Sequence, residues 1–153
     1  MKRKHFLSSF IPLAATFGAV ASGKTSFDGD SPVVKPPYLK AGDTVGICCP
    51  AGFITIEDIQ PALLKLKEWG FTARIGETIS KKDFTFGGTD DERLNDLQQM
   101  LDDKSIKAIL FARGGYGGVR IIDRLNFKKF DRDPKWIIGF SDATVFHSHI
   151  NEK

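Results

Sequence analysis

Two short stretches of this sequence combine residue types that could do chemistry. The first is Gly139-Phe140-Ser141-Asp142-Ala143, a Gly-x-Ser-x-small run that follows the apolar Trp136-Ile137-Ile138. At a strand-to-helix turn this spacing makes a nucleophile elbow, in which small neighbours permit a sharp bend and the serine projects from the top of a sheet. At the head of the following helix, the dipole and the Asp142 N–H would favour developing negative charge. A serine in that place is equally suited to be a plain N-cap, and spacing alone leaves both readings open. The second stretch is Arg113-Gly114-Gly115-Tyr116-Gly117-Gly118. Its glycines can bring bare backbone N–H groups close to an anion or an oxyanion, or can simply make a tight turn. A dinucleotide cradle does not fit, because Arg120 stands where the third glycine would be needed and no Gly-Lys-Ser/Thr ending follows.

A nucleophilic serine needs a base within hydrogen-bond reach. His147 is the nearest histidine, six residues downstream of Ser141. At about 100° per residue it sits roughly 240° around the helix and points away. His149 lies on a further face, and His5 belongs to the N-terminal leader described below. No histidine of the remaining chain is therefore well placed to serve Ser141.

The elements that must position these stretches alternate in type. Residues 44–49 read as a buried strand and 56–69 as a helix with Leu63, Leu64 and Leu66 on or near one face, closed by Gly70. Residues 71–75 read as a second strand. Thr89-Asp90-Asp91-Glu92 forms a capping box that opens a helix with Leu94, Leu97 and Leu101 at helical spacing. Residues 107–112 read as a third strand, 119–125 as a short helix, and 135–140 as a fourth strand leading into Ser141. Repeated strand-then-helix units predict an α/β fold, a parallel sheet with helices on both faces in a flavodoxin-like arrangement. Right-handed crossovers place the strand-to-helix loops at one end of that sheet, where ligands of such folds bind. Those loops are Pro50-Ala51-Gly52, residues 76–88, residues 113–118 and residues 139–142.

Composition narrows the function classes. Residues 1–21 have a basic head (Lys2, Arg3, Lys4), an almost uncharged apolar stretch and Ala19-Val20-Ala21, the pattern of a signal peptide before its cleavage site. Export is thus expected, with a periplasmic location. Residues 22–37, rich in Gly, Ser, Asp and Pro, read as a linker. The chain carries 22 Lys+Arg and 19 Asp+Glu, and the leader holds three of the former and none of the latter, so the remainder is neutral by count. A neutral chain without a basic stripe is a poor nucleic-acid binder. No segment after the leader reaches the roughly 18 apolar residues of a membrane span. The adjacent Cys48 and Cys49 would make a strained disulfide and have no ligating partners, so they read as buried thiols, with no metal or cofactor expected.

Five ordered blocks carry a family resemblance: Leu-Lys-Ala-Gly-Asp-Thr-Val-Gly-Ile at 39–47, Pro50-Ala51-Gly52, Phe-Gly-Gly-Thr-Asp-Asp-Glu-Arg at 86–93 with Asp96, Arg-Gly-Gly-Tyr-Gly at 113–117, and Gly139-Phe140-Ser141-Asp142. In this order they resemble the LD-carboxypeptidases, or muramoyltetrapeptide carboxypeptidases, serine peptidases that remove the terminal D-alanine from murein tetrapeptides. The resemblance runs from about Tyr38 onward and implies that residues 38–153 are an N-terminal domain. It implies Ser141 as nucleophile, the N–H groups of Asp142 and Gly115 as oxyanion hole, and Arg113, Gly114 and Tyr116 as substrate-binding residues. It further implies a histidine base with a supporting glutamate from a C-terminal domain that this chain lacks, so that the fragment alone would be inactive. The implied partners are a murein peptide and that domain, and a homodimer is compatible with the sequence. Two alternatives accompany this expectation: a related hydrolase of peptide-nucleotide antibiotics, and a non-catalytic half-domain that binds cell-wall peptide.

Overall fold

The computed structural model describes residues 34–152. The expected signal peptide and residues 22–33 of the expected linker lie outside the described residues. Four parallel strands, β1 (Thr44–Cys48), β2 (Thr72–Ile75), β3 (Ile106–Phe111) and β4 (Trp136–Ile138), form one sheet in the order β2-β1-β3-β4. Three helices, α1 (Ile56–Glu68), α2 (Asp90–Asp102) and α3 (Thr144–Asn151), complete the frame.

Both faces of the sheet are covered. Val45, Ile47 and Cys49 alternate onto one face and pack with Ala108 and with Ile59 and Leu66 of α1. Cys48, Ile109 and Phe111 face the other side and pack against Leu97, Met100 and Leu101 of α2 and Phe146 of α3. Gly46 belongs to this second face, and a Cβ there would stand 2.8 Å from the Met100 sulfur, so any larger residue would force that side chain to shift. The β1–β3 pairing slips by one residue between Thr44 and Val45, which lets Ile106 join Ile109 under α2 despite its odd spacing. Burial of side chains of this size stabilises by roughly 1.5–3 kcal/mol each.

Local chemistry sets the helix ends. Thr89 and Glu92 make the expected capping box on α2, and Thr55 with Asp58 makes a second one on α1 that the sequence reading did not single out. On α1 the apolar residues packed into the core are Ile56, Ile59, Leu63 and Leu66, an i, i+3, i+7, i+10 stripe. Leu64 falls off that stripe and is 67% exposed, which corrects its expected place on the core face. The expected helix over 119–125 is two 3-10 turns, Gly118–Arg120 and Ile122–Arg124, interrupted at Ile121 (φ −118°). The fourth strand is also shorter than expected: Lys135 leaves it to donate from Nζ to the Met100 and Asp103 carbonyls at the end of α2, and Gly139-Phe140 already turn out of the sheet. Before β1, the chain is tied down where Trp136 donates its indole N–H to the Pro37 carbonyl at 2.8 Å.

Both cysteines are buried and unbridged. Burial, reinforced by the Asp96 carboxylate, pushes the Cys49 thiol up to about 12 and raises Cys48 as well. Since the thiolate is the reactive form, a disulfide reagent such as Ellman's should titrate neither thiol in the folded protein at neutral pH and both of them in denaturant. Rapid reaction of one thiol in the native state would contradict this burial.

Candidate active site

The four loops at the carboxyl ends of the strands are stitched into one surface. Gly52 N–H donates to the Gly114 carbonyl at 3.0 Å, Gly87 N–H to the Ala51 carbonyl at 3.0 Å, and Gly118 N–H to Asp142 Oδ2 at 2.7 Å. Every expected site residue lies on this surface.

Ser141 sits where β4 hands over to a 3-10 turn (Ser141–Ala143) that runs into α3. Its φ is +59°, a left-handed conformation that costs a non-glycine residue on the order of 1–3 kcal/mol and that marks an elbow. Phe140, with no side-chain capping bond, holds the N-cap position, so the plain-cap reading of Ser141 is overturned. The Ser141 side chain is exposed and has no hydrogen bond among the described residues. The small flanks are required: a Cβ on Gly139 would stand 2.8 Å from Ala143 Cβ, and one on Gly114 would stand 2.9 Å from Ser141 Cβ and 3.1 Å from the Phe140 carbonyl.

Gly114 therefore passes directly over the serine, and Gly115 follows with φ +111°. Neither the Gly115 nor the Asp142 N–H donates to any described residue, so both are open to an incoming oxyanion. The Asp142 carboxylate meanwhile caps the turn that starts at Gly118, which fixes the glycine loop to the elbow. Arg113 donates to the Phe53 carbonyl at 2.8 Å, and Tyr116 is 61% exposed with its ring against Phe86. The geometry agrees with the exclusion of the nearby histidines: His147 Nε2 lies 3.1 Å from the Ile137 carbonyl, and the His149 ring packs at a tilt against Phe127. Among the described residues no cluster of His, Cys, Asp or Glu could hold a metal ion.

Two supports of this surface went unassigned in the sequence reading. Arg93 is fully buried and donates to the carbonyls of Pro50, Gly88 (3.3 Å) and Gly117 (3.0 Å), one from each of three loops, while pairing with Asp90. The Phe86 ring lies against its guanidinium at 4.9 Å. Asp90 also accepts from Arg120, and that bond, followed by the charge of Arg93, holds its carboxyl below the usual range. Asp96, also buried, accepts from the Glu77 and Thr78 N–H groups and the Thr78 hydroxyl, which in turn accepts from Cys49 N–H at 2.8 Å. A signal for Arg93 existed: it lies four residues before Leu97 and eight before Leu101, a charge on the apolar stripe of α2.

A parallel sheet whose carboxyl edge carries a left-handed serine beneath a glycine loop defines an α/β protein with its candidate site at the strand-to-helix loops. The profile of the LD-carboxypeptidase N-terminal domain matches residues 45–153. The probable murein peptide carboxypeptidase of Bacillus subtilis is 38% identical over 118 residues, covering 77% of this chain and 37% of that protein. The murein tetrapeptide carboxypeptidase of Pseudomonas aeruginosa is 30% identical over 110 residues, covering 69% of this chain and 36% of that protein. Among solved structures, the microcin C7 self immunity protein MccF, in complex with aspartyl sulfamoyl adenosine, superposes with a TM-score of 0.70 at 26% identity, covering 74% and 35% of the two chains. The muramoyltetrapeptide carboxypeptidase of Oxalobacter formigenes does so with a TM-score of 0.60 at 28% identity, covering 67% and 34%. The chain belongs to the LD-carboxypeptidase family, and the expected α/β fold holds. It spans a little over a third of the length of the curated relatives it matches.

Proposed function

We infer that the protein supplies the nucleophile and oxyanion hole of an exported serine LD-carboxypeptidase that releases terminal D-alanine from murein tetrapeptides. The observation that carries this reading is Ser141 itself: a left-handed serine with an uncommitted hydroxyl, beside two N–H groups that have no partner among the described residues. In the reaction, Ser141 Oγ bonds to the carbonyl carbon between a diamino acid and D-alanine while a base takes its proton. The tetrahedral oxyanion accepts from Asp142 and Gly115 N–H. Collapse breaks the C–N bond, the proton passes to the leaving amine, and water hydrolyses the acyl-enzyme. The base and its orienting carboxylate come from beyond the described residues. Support for the substrate comes from the names of the relatives, and support for export from the leader at residues 1–21.

The likeness to MccF favours one second reading, hydrolysis of an aminoacyl-nucleotide. The product of the full reading frame, incubated with murein tetrapeptide and with an aminoacyl sulfamoyl adenosine, separates the two. Release of D-alanine, read by mass spectrometry, is the expected result. Turnover of the nucleotide analogue alone would replace the first reading by the second.

A further inference from the structure

Next to the oxyanion donors lies an open cleft whose wall includes Gly52, Phe53, Lys82, Arg113, Gly115 and Tyr116. Two of its lining side chains are cations and none is a carboxylate. Lys82 places its ammonium 5.2 Å from the Phe53 ring centre, and Arg113 donates to the carbonyl of the same residue. Two positive groups from different loops thus converge on Phe53. Neither has an anionic partner among the described residues. Their neighbours are all paired: Lys81 with Glu92, Arg93 and Arg120 with Asp90, Arg124 with Asp91. A ring face and one carbonyl do not neutralise two charges, so the cleft holds an uncompensated positive potential.

We propose that Lys82 and Arg113 form a clamp for the terminal carboxylate of the peptide, with Lys82 as a specificity-determining residue. This rests on the carboxypeptidase reading. Gly115 belongs both to the cleft and to the oxyanion pair, so a carboxylate held there lies one residue beyond the scissile carbonyl, where the C-terminus of the leaving amino acid must be. An enzyme that removes only the last residue has to recognise a chain end, and a carboxylate is the one group that an internal peptide lacks. Arg113 offers the planar fork that matches two carboxylate oxygens, and Lys82 adds a mobile point charge. The exposed rings of Phe84 and Tyr116 flank the cleft.

The probes are acetyl-L-lysyl-D-alanine and its C-terminal amide, titrated calorimetrically into the full-reading-frame protein carrying Ser141→Ala, with Lys82 intact, Lys82→Met or Lys82→Arg. With Lys82 intact the free acid should bind roughly tenfold or more tighter than the amide, as a charge-assisted contact requires. Lys82→Met should abolish that preference by weakening the acid alone, and Lys82→Arg should keep most of it. Lys82 is exposed, and unchanged melting curves would verify that the variants fold. Equal binding of acid and amide with Lys82 intact, no binding of either, or an unaltered preference in Lys82→Met would each overturn the clamp. A parallel turnover assay with Ser141 intact keeps the two ideas apart: acid preference in binding without D-alanine release would retain the clamp and reject the carboxypeptidase reading.

Discussion

Replacing Ser141 by alanine should lower D-alanine release by the full-reading-frame protein about 10⁴- to 10⁶-fold, the range set by removing the nucleophile of a serine hydrolase. Stability should move by less than about 0.5 kcal/mol, because the hydroxyl makes no hydrogen bond among the described residues and alanine keeps the same backbone strain. Ser141→Gly separates the two effects further. Glycine is at ease at φ +59°, so this variant should be equally inactive yet about 0.5–1 kcal/mol more stable, once the entropy cost of glycine is set against the relieved strain. On the proposed function, a serine at a position that prefers glycine is strain held for chemistry. Equal stability of the alanine and glycine variants, or residual turnover near the parent level, would refute that account.

The parts of this site that were legible in the sequence are those fixed by local rules. The alternation of apolar runs and amphipathic stretches gave the order of strands and helices, and the small residues around Ser141 gave the elbow, because both follow from short-range geometry. The competition between cap and nucleophile at Ser141 was not decidable from spacing, since both need a serine at the head of a helix; the N-cap place of Phe140 removes the cap, and the nucleophile remains the proposed role. The fate of residues 119–125 depended on the glycines before them and on a conformational break at Ile121, which no apolar pattern encodes. The partners of Arg93 were hidden for a different reason. Pro50, Gly88 and Gly117 are 43, 5 and 24 residues away, and carbonyl groups leave no trace in side-chain spacing. The convergence of Lys82 and Arg113 on Phe53 is likewise a product of loop packing.

Arg93 carries the largest expected effect on stability. Arg93→Met keeps similar volume and removes the guanidinium, leaving the buried carbonyls of Pro50 and Gly88 without this donor and that of Gly117 with the Arg120 N–H alone. Asp90 is spared, because Arg120 still grips both of its carboxylate oxygens. The loss should therefore come from the loop junction and amount to about 2–5 kcal/mol, at about 1–3 kcal/mol for each buried carbonyl left without a donor. Against a total of about 5–15 kcal/mol for an ordinary domain, this brings the fold close to its limit, and the urea midpoint should drop accordingly. Arg93→Lys should recover little, since one ammonium cannot reach carbonyls that lie around a planar fork. A shift below about 1 kcal/mol for Arg93→Met would show that the loops hold one another through their own backbone bonds. If the larger loss is found, the position of Gly114 over Ser141 depends on a cation that never touches the substrate, and the variant's folded fraction should turn over more slowly than its parent.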